Sequence, residues 1–194
     1  MKIGQLGPGG GSMCVLGIVG WSGSGKTTLL EAILPLLARG GRRISTLKHA
    51  HHGFDMDRPG KDSFRHRAAG AAEVLVASER RWVLLHERQE GEEIGFPGLL
   101  THLAPADLVL VEGFKSHDFP KLEVHRPSLG KPPLWPDDPA ILAVASDAGP
   151  RPAGPAAPEW LPLGNPAAVA GWVEARLLAP AASLERGAGA EHNG

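Results

Sequence analysis

Apolar residues run together over residues 15–19 and then recur as Leu29, Leu30, Ile33, Leu36 and Leu37. An unbroken apolar run followed by helical spacing predicts a buried strand, a glycine-rich turn and a helix over 27–39. Pro35 removes one backbone hydrogen bond within that helix, so a kink or an early end is expected there, with Gly40 and Gly41 closing the element. Residues 43–48 read as a second strand, 49–62 as a long polar loop and 63–72 as helical. Two β-rich runs, 73–77 and 82–86, flank a polar turn and either form a hairpin or lie as parallel neighbours. Further buried strands are predicted over 107–111, 122–125 and 140–145, and a last helix over 166–178. Strands alternating with helices predict an α/β protein with a mainly parallel sheet.

Composition narrows this picture. At 194 residues the chain has room for one substantial core, and a single domain over 13–179 is expected between a flexible leader, 1–12, and a flexible tail, 180–194. A net charge of -1 gives no electrostatic reason to expect nucleic acid or membrane as a partner. The single cysteine, Cys14, excludes an intramolecular disulfide, and no apolar run reaches the roughly 18 residues that span a bilayer. A cytoplasmic protein is the expectation.

The strongest chemical signal is Gly20-Trp21-Ser22-Gly23-Ser24-Gly25-Lys26-Thr27, which satisfies G-x-x-x-x-G-K-[ST] between an apolar strand and an amphipathic helix. Glycines let the backbone wrap so that successive N–H groups point at phosphate oxygens. Lys26 supplies a cation to the β- and γ-phosphates, Thr27 offers a hydroxyl to Mg²⁺, Thr28 ends the cradle, and the helix beginning near Lys26 adds the positive end of its dipole. The candidate binding residues are therefore Gly20, Ser22, Gly23, Ser24, Gly25, Lys26, Thr27 and Thr28, in a P-loop NTPase three-layer sandwich. Such a cradle needs a second acid at the end of a buried strand, and Glu112 after Leu108-Val109-Leu110-Val111 fits, as a metal-site and catalytic residue beside Lys26.

Histidines and carboxylates are dense from His49 to Asp62, but His49, His51 and His52 do not have zinc-helix spacing. The more economical reading is a loop that closes over the phosphates, with Asp55 or Asp62 approaching Mg²⁺ and Lys48, Lys61 or Arg65 facing an anion. Arg65-His66-Arg67 is the main basic cluster.

GIVGWSGSGKTTLLEAILP, TLKHAHHGFDMDRPGKDSFRHRAAGA, LVLVEGFKSHDFPKLEVHR and AVASD together resemble the molybdopterin-guanine dinucleotide biosynthesis adaptor (MobB) family, over about residues 14–178. The resemblance implies a dimeric GTP-binding protein with weak GTPase activity. It also implies work beside the guanylyltransferase that attaches GMP to molybdopterin, with molybdopterin itself a second candidate ligand. Trp21 stands where the wider class of signal-recognition and nitrogenase iron-protein relatives has a signature lysine, so a lysine acting in trans is not supported. No Asn-Lys-x-Asp segment is present to read guanine. With GTP implied by the family, Asp147 at the end of a buried strand is the candidate base-reading acid. Two classes of function follow: a nucleotide-dependent adaptor, and a P-loop phosphotransferase acting on a small molecule. The short basic cluster is a meagre version of a kinase lid and favours the adaptor.

Overall fold

The computed structural model describes residues 13–50, 54–88, 91, 94–149, 154 and 156–178. The expected leader and tail, and His51 and His52, lie outside the described residues. The chain divides into two compact units, one formed by residues 1–49 with 100–194 and the other by residues 50–99.

The first unit is built on strands β1 (Cys14–Val19), β2 (Ile44–Lys48), β5 (Leu108–Glu112), β6 (Lys121–His125), β7 (Ile141–Ser146) and β8 (Glu159–Pro162). They form one sheet in the order β2-β5-β1-β6-β7-β8, and every neighbouring pair is parallel. Parallel strands covered on both faces read as continuous apolar runs, which is why Leu108, Val109, Leu110 and Val111 are all fully buried. One face carries Leu16, Ile18, Leu110, Leu122, Val124, Ala143 and Ala145. Helices α1 (Lys26–Leu37) and α4 (Pro166–Val173) pack on it through Leu29, Leu30, Ile33, Leu37, Val169 and Trp172. On the other face Val19, Ile141 and Val144 meet Leu134 and Trp135, and Phe119 lies so close to Gly17 that a Cβ there would come within 2.5 Å of its ring.

Pro35 sits in the last turn of α1, which ends at Leu37, and Gly40 and Gly41 turn the chain with φ of 75° and 79°. The expected last helix is α-helical to Val173 and continues as a π-helical turn over Glu174–Leu178. Asn165 caps α4 by accepting a hydrogen bond from the Ala168 amide at 3.2 Å, and Pro166 follows at a position where its missing N–H costs nothing. Cys14 is half-buried and donates its thiol to the Leu177 carbonyl at 3.1 Å.

The second unit contains α2 (Asp62–Ala68) and the strands β3 (Glu73–Ala77) and β4 (Trp82–His86). The strands pair antiparallel as a separate two-stranded sheet, so the hairpin arrangement is the one adopted. Ser78 closes the turn: its amide donates to the Arg81 carbonyl at 2.8 Å and its hydroxyl accepts from the Arg81 amide at 3.2 Å. A helix α3 (Phe96–Thr101) follows, which the sequence pattern does not predict. No helix among the described residues is long and apolar enough to cross a membrane.

Candidate functional site

The carboxyl ends of β1, β2, β5, β6 and β7 gather the polar residues of the first unit at one edge of the sheet. Register explains the gathering, because Ile18 of β1 and Lys48 of β2 both lie opposite Glu112 of β5, and Val19 lies opposite Glu123 of β6. The chain reverses its direction of sheet growth at β1, with β5 on one side and β6 on the other. Ligands of open α/β sheets bind at such a switch point.

Residues 20–25 form the loop between β1 and α1. Gly20, Gly23 and Gly25 have φ of 145°, 79° and 96°, conformations that side chains rarely adopt. A Cβ at Gly20 would lie 2.4 Å from the Val124 carbonyl oxygen, whereas at Gly23 the nearest atom is a Leu129 methyl 4.0 Å away. The first glycine therefore packs the loop onto β6 and the second leaves its mouth open. Lys26 folds over this mouth, donating to the Gly20 carbonyl at 3.1 Å and the Trp21 carbonyl at 2.9 Å. Burial pushes its ammonium below the ordinary lysine range; Glu112 pulls it back up, and Lys115 and Lys48 add to the lowering. Ser24 is buried, and its hydroxyl has no hydrogen-bond partner among the described residues. A buried hydroxyl in that state costs about 1–3 kcal/mol unless something else bonds it.

The structure places Thr27 beside Glu112: the Thr27 hydroxyl lies 3.4 Å from both Glu112 carboxylate oxygens, and Lys48 lies 3.6 Å from one of them. A hydroxyl beside a carboxylate is an all-oxygen donor set, the chemistry that Mg²⁺ prefers. No group of three or more His, Cys, Asp or Glu among the described residues converges as a metal site.

Asp147 follows β7 and is joined to Arg126, whose guanidinium donates to its Oδ2 at 2.7 Å and to the Ser24 carbonyl at 2.9 Å. Arg126 thus ties the loop to the end of β7, and nothing in the sequence pattern marks it. Trp21 is the other residue whose role the pattern misses. Its indole donates to the Pro132 carbonyl at 2.7 Å, and the ammonium groups of Lys115 and Lys131 stand over its ring at 4.9 and 5.7 Å. Asp62 belongs to the second unit, where it opens α2, is largely exposed and faces Arg65 at 3.8 Å. Asp55 in the same unit is taken by Arg67 at 2.9 Å, and Arg67 also binds Asp57 and Glu87, so this arginine is the centre of a carboxylate knot.

A family model described as MobB, Molybdopterin guanine dinucleotide synthesis protein B, matches residues 15–147. The chain is 43% identical over 136 residues to the molybdopterin-guanine dinucleotide biosynthesis adapter protein of Escherichia coli (strain K12), covering 69% of this chain and 78% of that protein. It is 42% identical over 133 residues to the same-named protein of Haemophilus influenzae, covering 69% and 74%. Its fold is similar to a crystal structure of molybdopterin-guanine biosynthesis protein B, with a TM-score of 0.63 at 26% identity over 84% of this chain and 99% of that one. The parallel sheet with its P-loop at the switch point, the family match over the same residues and the identity to these relatives agree: the chain belongs to the MobB family.

Proposed function

We propose that this protein is an adaptor in molybdopterin guanine dinucleotide biosynthesis, which binds Mg²⁺·GTP on residues 20–28 and turns it over slowly in the cytoplasm. The observation that carries the reading is the loop itself. Its glycines hold the main chain against β6 with an open mouth, a buried hydroxyl has no partner among the described residues, and Lys26 and Lys48 lie beside the acid Glu112 while Lys115 stands over Trp21. A net positive mouth lined with amides is completed by a polyphosphate.

Thr27 and Glu112 would hold the magnesium ion, which neutralises phosphate charge and fixes the β- and γ-oxygens. Lys26 would exchange its two carbonyl partners for phosphate oxygens. Asp147 would read guanine through Oδ1, while Oδ2 stays with Arg126. Asp62 is a further candidate toward the metal. Sequence spacing assigns no arginine or glutamine a water-positioning role, and Arg126 beside the loop is held on Asp147 and the Ser24 carbonyl; P-loop proteins without such a residue hydrolyse at roughly 10⁻⁴ s⁻¹. In this reading residues 13–179 are one nucleotide-binding domain, with 50–99 a unit set within it. The phosphotransferase reading has less support, because the relatives carry adapter names.

A homodimer is part of the proposal, supported by the β3–β4 hairpin. Leu75, Trp82 and Leu84 share one face of it and are 62%, 67% and 39% exposed. Monomeric proteins seldom leave so compact an apolar face in water. The direct test is calorimetric titration with GTP and ATP in magnesium, followed by reconstitution with a guanylyltransferase that attaches GMP to molybdopterin. Saturable GTP uptake and a raised yield of the dinucleotide are expected. No uptake of either nucleotide would end the reading.

A further inference from the structure

The turn after β5 carries an unusual backbone. Gly113 has φ of 106°, and Phe114 is the single non-glycine residue with positive φ among those described, at 52°. A non-glycine residue held there costs about 1 kcal/mol or more and persists only where its surroundings over-determine it. They do so here. Gly113 approaches His49 so closely that a Cβ would come within 2.8 Å of the His49 Cβ, and the Phe114 ring lies on the His49 ring with centroids 4.6 Å apart. The next carbonyl, that of Lys115, is gripped from below by the Lys121 ammonium at 2.7 Å. Lys121 is almost fully buried and bonded at 2.7 Å to Asp138. Burying an ammonium is costly, and Lys121 divides its bonds between this carbonyl and Asp138, which is one-quarter exposed and also accepts from the Ala140 amide at 3.0 Å.

That outlay aims one side chain. Lys115 is exposed and ends over the ring of Trp21, the residue after the first glycine of the loop, and the indole is itself fastened to Pro132. An ammonium over a half-buried indole gains on the order of 1 kcal/mol, which does not by itself explain a strained turn and the buried Lys121 ammonium that holds it. The charge balance does. Lys115 and Lys131 bring two ammonium groups to the one Trp21 ring, at 4.9 and 5.7 Å, and Lys48 stands 3.6 Å from Glu112, so three cations gather at the loop and the strand-end acid. Such an arrangement is unfavourable until an anion arrives. Lys115 follows Glu112 by three residues, and Glu112 with Thr27 would hold the metal that accompanies a bound triphosphate.

We propose that Lys115 is a second phosphate-binding cation of this site, one that meets the terminal phosphate of a bound nucleoside triphosphate and so distinguishes it from the diphosphate. The inference rests on the nucleotide reading above and adds a residue that decides which nucleotide state is held. Lys121 and Asp138 are positioning residues that act through the Lys115 main chain. The geometry requires only that the extra phosphate take up the charge that Trp21 now screens.

The test is to titrate the full chain and its Lys115→Ala and Lys115→Arg variants with GTP and with GDP, each with magnesium. Because the Lys115 side chain is exposed, neither variant is expected to unfold. Loss of one charge-assisted contact predicts about tenfold or greater weakening of GTP binding by Lys115→Ala, with GDP affinity within about twofold and Lys115→Arg near wild type. An unchanged ratio of GTP to GDP affinity in Lys115→Ala would overturn the proposal, as would an equal loss for both nucleotides. Wild-type protein that binds neither nucleotide would instead overturn the underlying reading of the loop.

Discussion

Replacing Gly20 and Gly23 separately by alanine separates the two jobs of the loop. At Gly20 the added methyl would sit 2.4 Å from the Val124 carbonyl oxygen and 2.8 Å from the Ser24 hydroxyl, at a φ of 145°. Val124 is a fully buried residue of β6, so its carbonyl has little freedom to retreat. Overpacking costs about 1–3 kcal/mol and the backbone conformation a further 1–3, together roughly 2–6 kcal/mol. For a protein of this size each kcal/mol moves the melting temperature by about 2–4 °C, so a fall of roughly 5–20 °C is expected. At Gly23 the same methyl meets only a Leu129 carbon 4.0 Å away, leaving a conformational cost of about 1–2 kcal/mol and a fall of a few degrees. Its methyl points into the open mouth, where it would keep a phosphate from the amides. The expected result is that Gly20→Ala chiefly loses thermal stability, whereas Gly23→Ala stays folded and loses triphosphate affinity. Thermal melts followed by circular dichroism, with calorimetric titration of the folded variants, measure both. Equal melting shifts for the two variants, or full GTP affinity in Gly23→Ala, would refute the assignment of packing to one glycine and binding to the other.

Lys26→Ala removes a side chain bonded, among the described residues, to two loop carbonyls, so its melting temperature should stay within a few degrees of wild type while GTP affinity falls by about tenfold or more; calorimetry that finds affinity retained counts against the cradle. Burial pushes the Glu123 carboxyl above its ordinary range, against the lowering by the Leu134 and Trp135 amides that it binds. The folded state then holds that proton more tightly than the unfolded one, so stability should fall as pH rises from about 4.5 through the raised value. Urea unfolding of wild type and Glu123→Gln across pH 4 to 8 should show that fall only in wild type, and parallel curves would refute it. Asp147→Ala should weaken GTP binding with little effect on ATP if its free oxygen reads guanine; matching losses would assign it to holding Arg126 alone. Leu75→Lys with Trp82→Glu should yield a monomer in sedimentation equilibrium, and a dimer of wild-type strength would move the interface away from the hairpin.

What could be read in the chain before its structure was known is what a few neighbouring residues decide among themselves. The loop was legible because glycine, lysine and threonine are each demanded locally, and the parallel sheet because Leu108 to Val111 leave no polar face for solvent. The short strand Glu159–Pro162 escaped because its proline reads as a breaker, yet at the edge of the sheet, after β7, a missing N–H costs no ladder bond. Arg126 and Lys115 escaped for a different reason. Arg126 lies 102 residues from the Ser24 carbonyl it holds, and it reaches that carbonyl only because β6 pairs with β1, a choice of neighbour that no local pattern encodes. Lys115 sits three residues from the visible acid but is positioned by Lys121, whose burial no hydropathy pattern would predict for a charged residue. In a parallel sheet every strand delivers its last residues to the same edge, so strand order decides which side chains share a site. A motif search therefore finds the cradle, and the residues that set its charge and shape emerge only when the order β2-β5-β1-β6-β7-β8 is known.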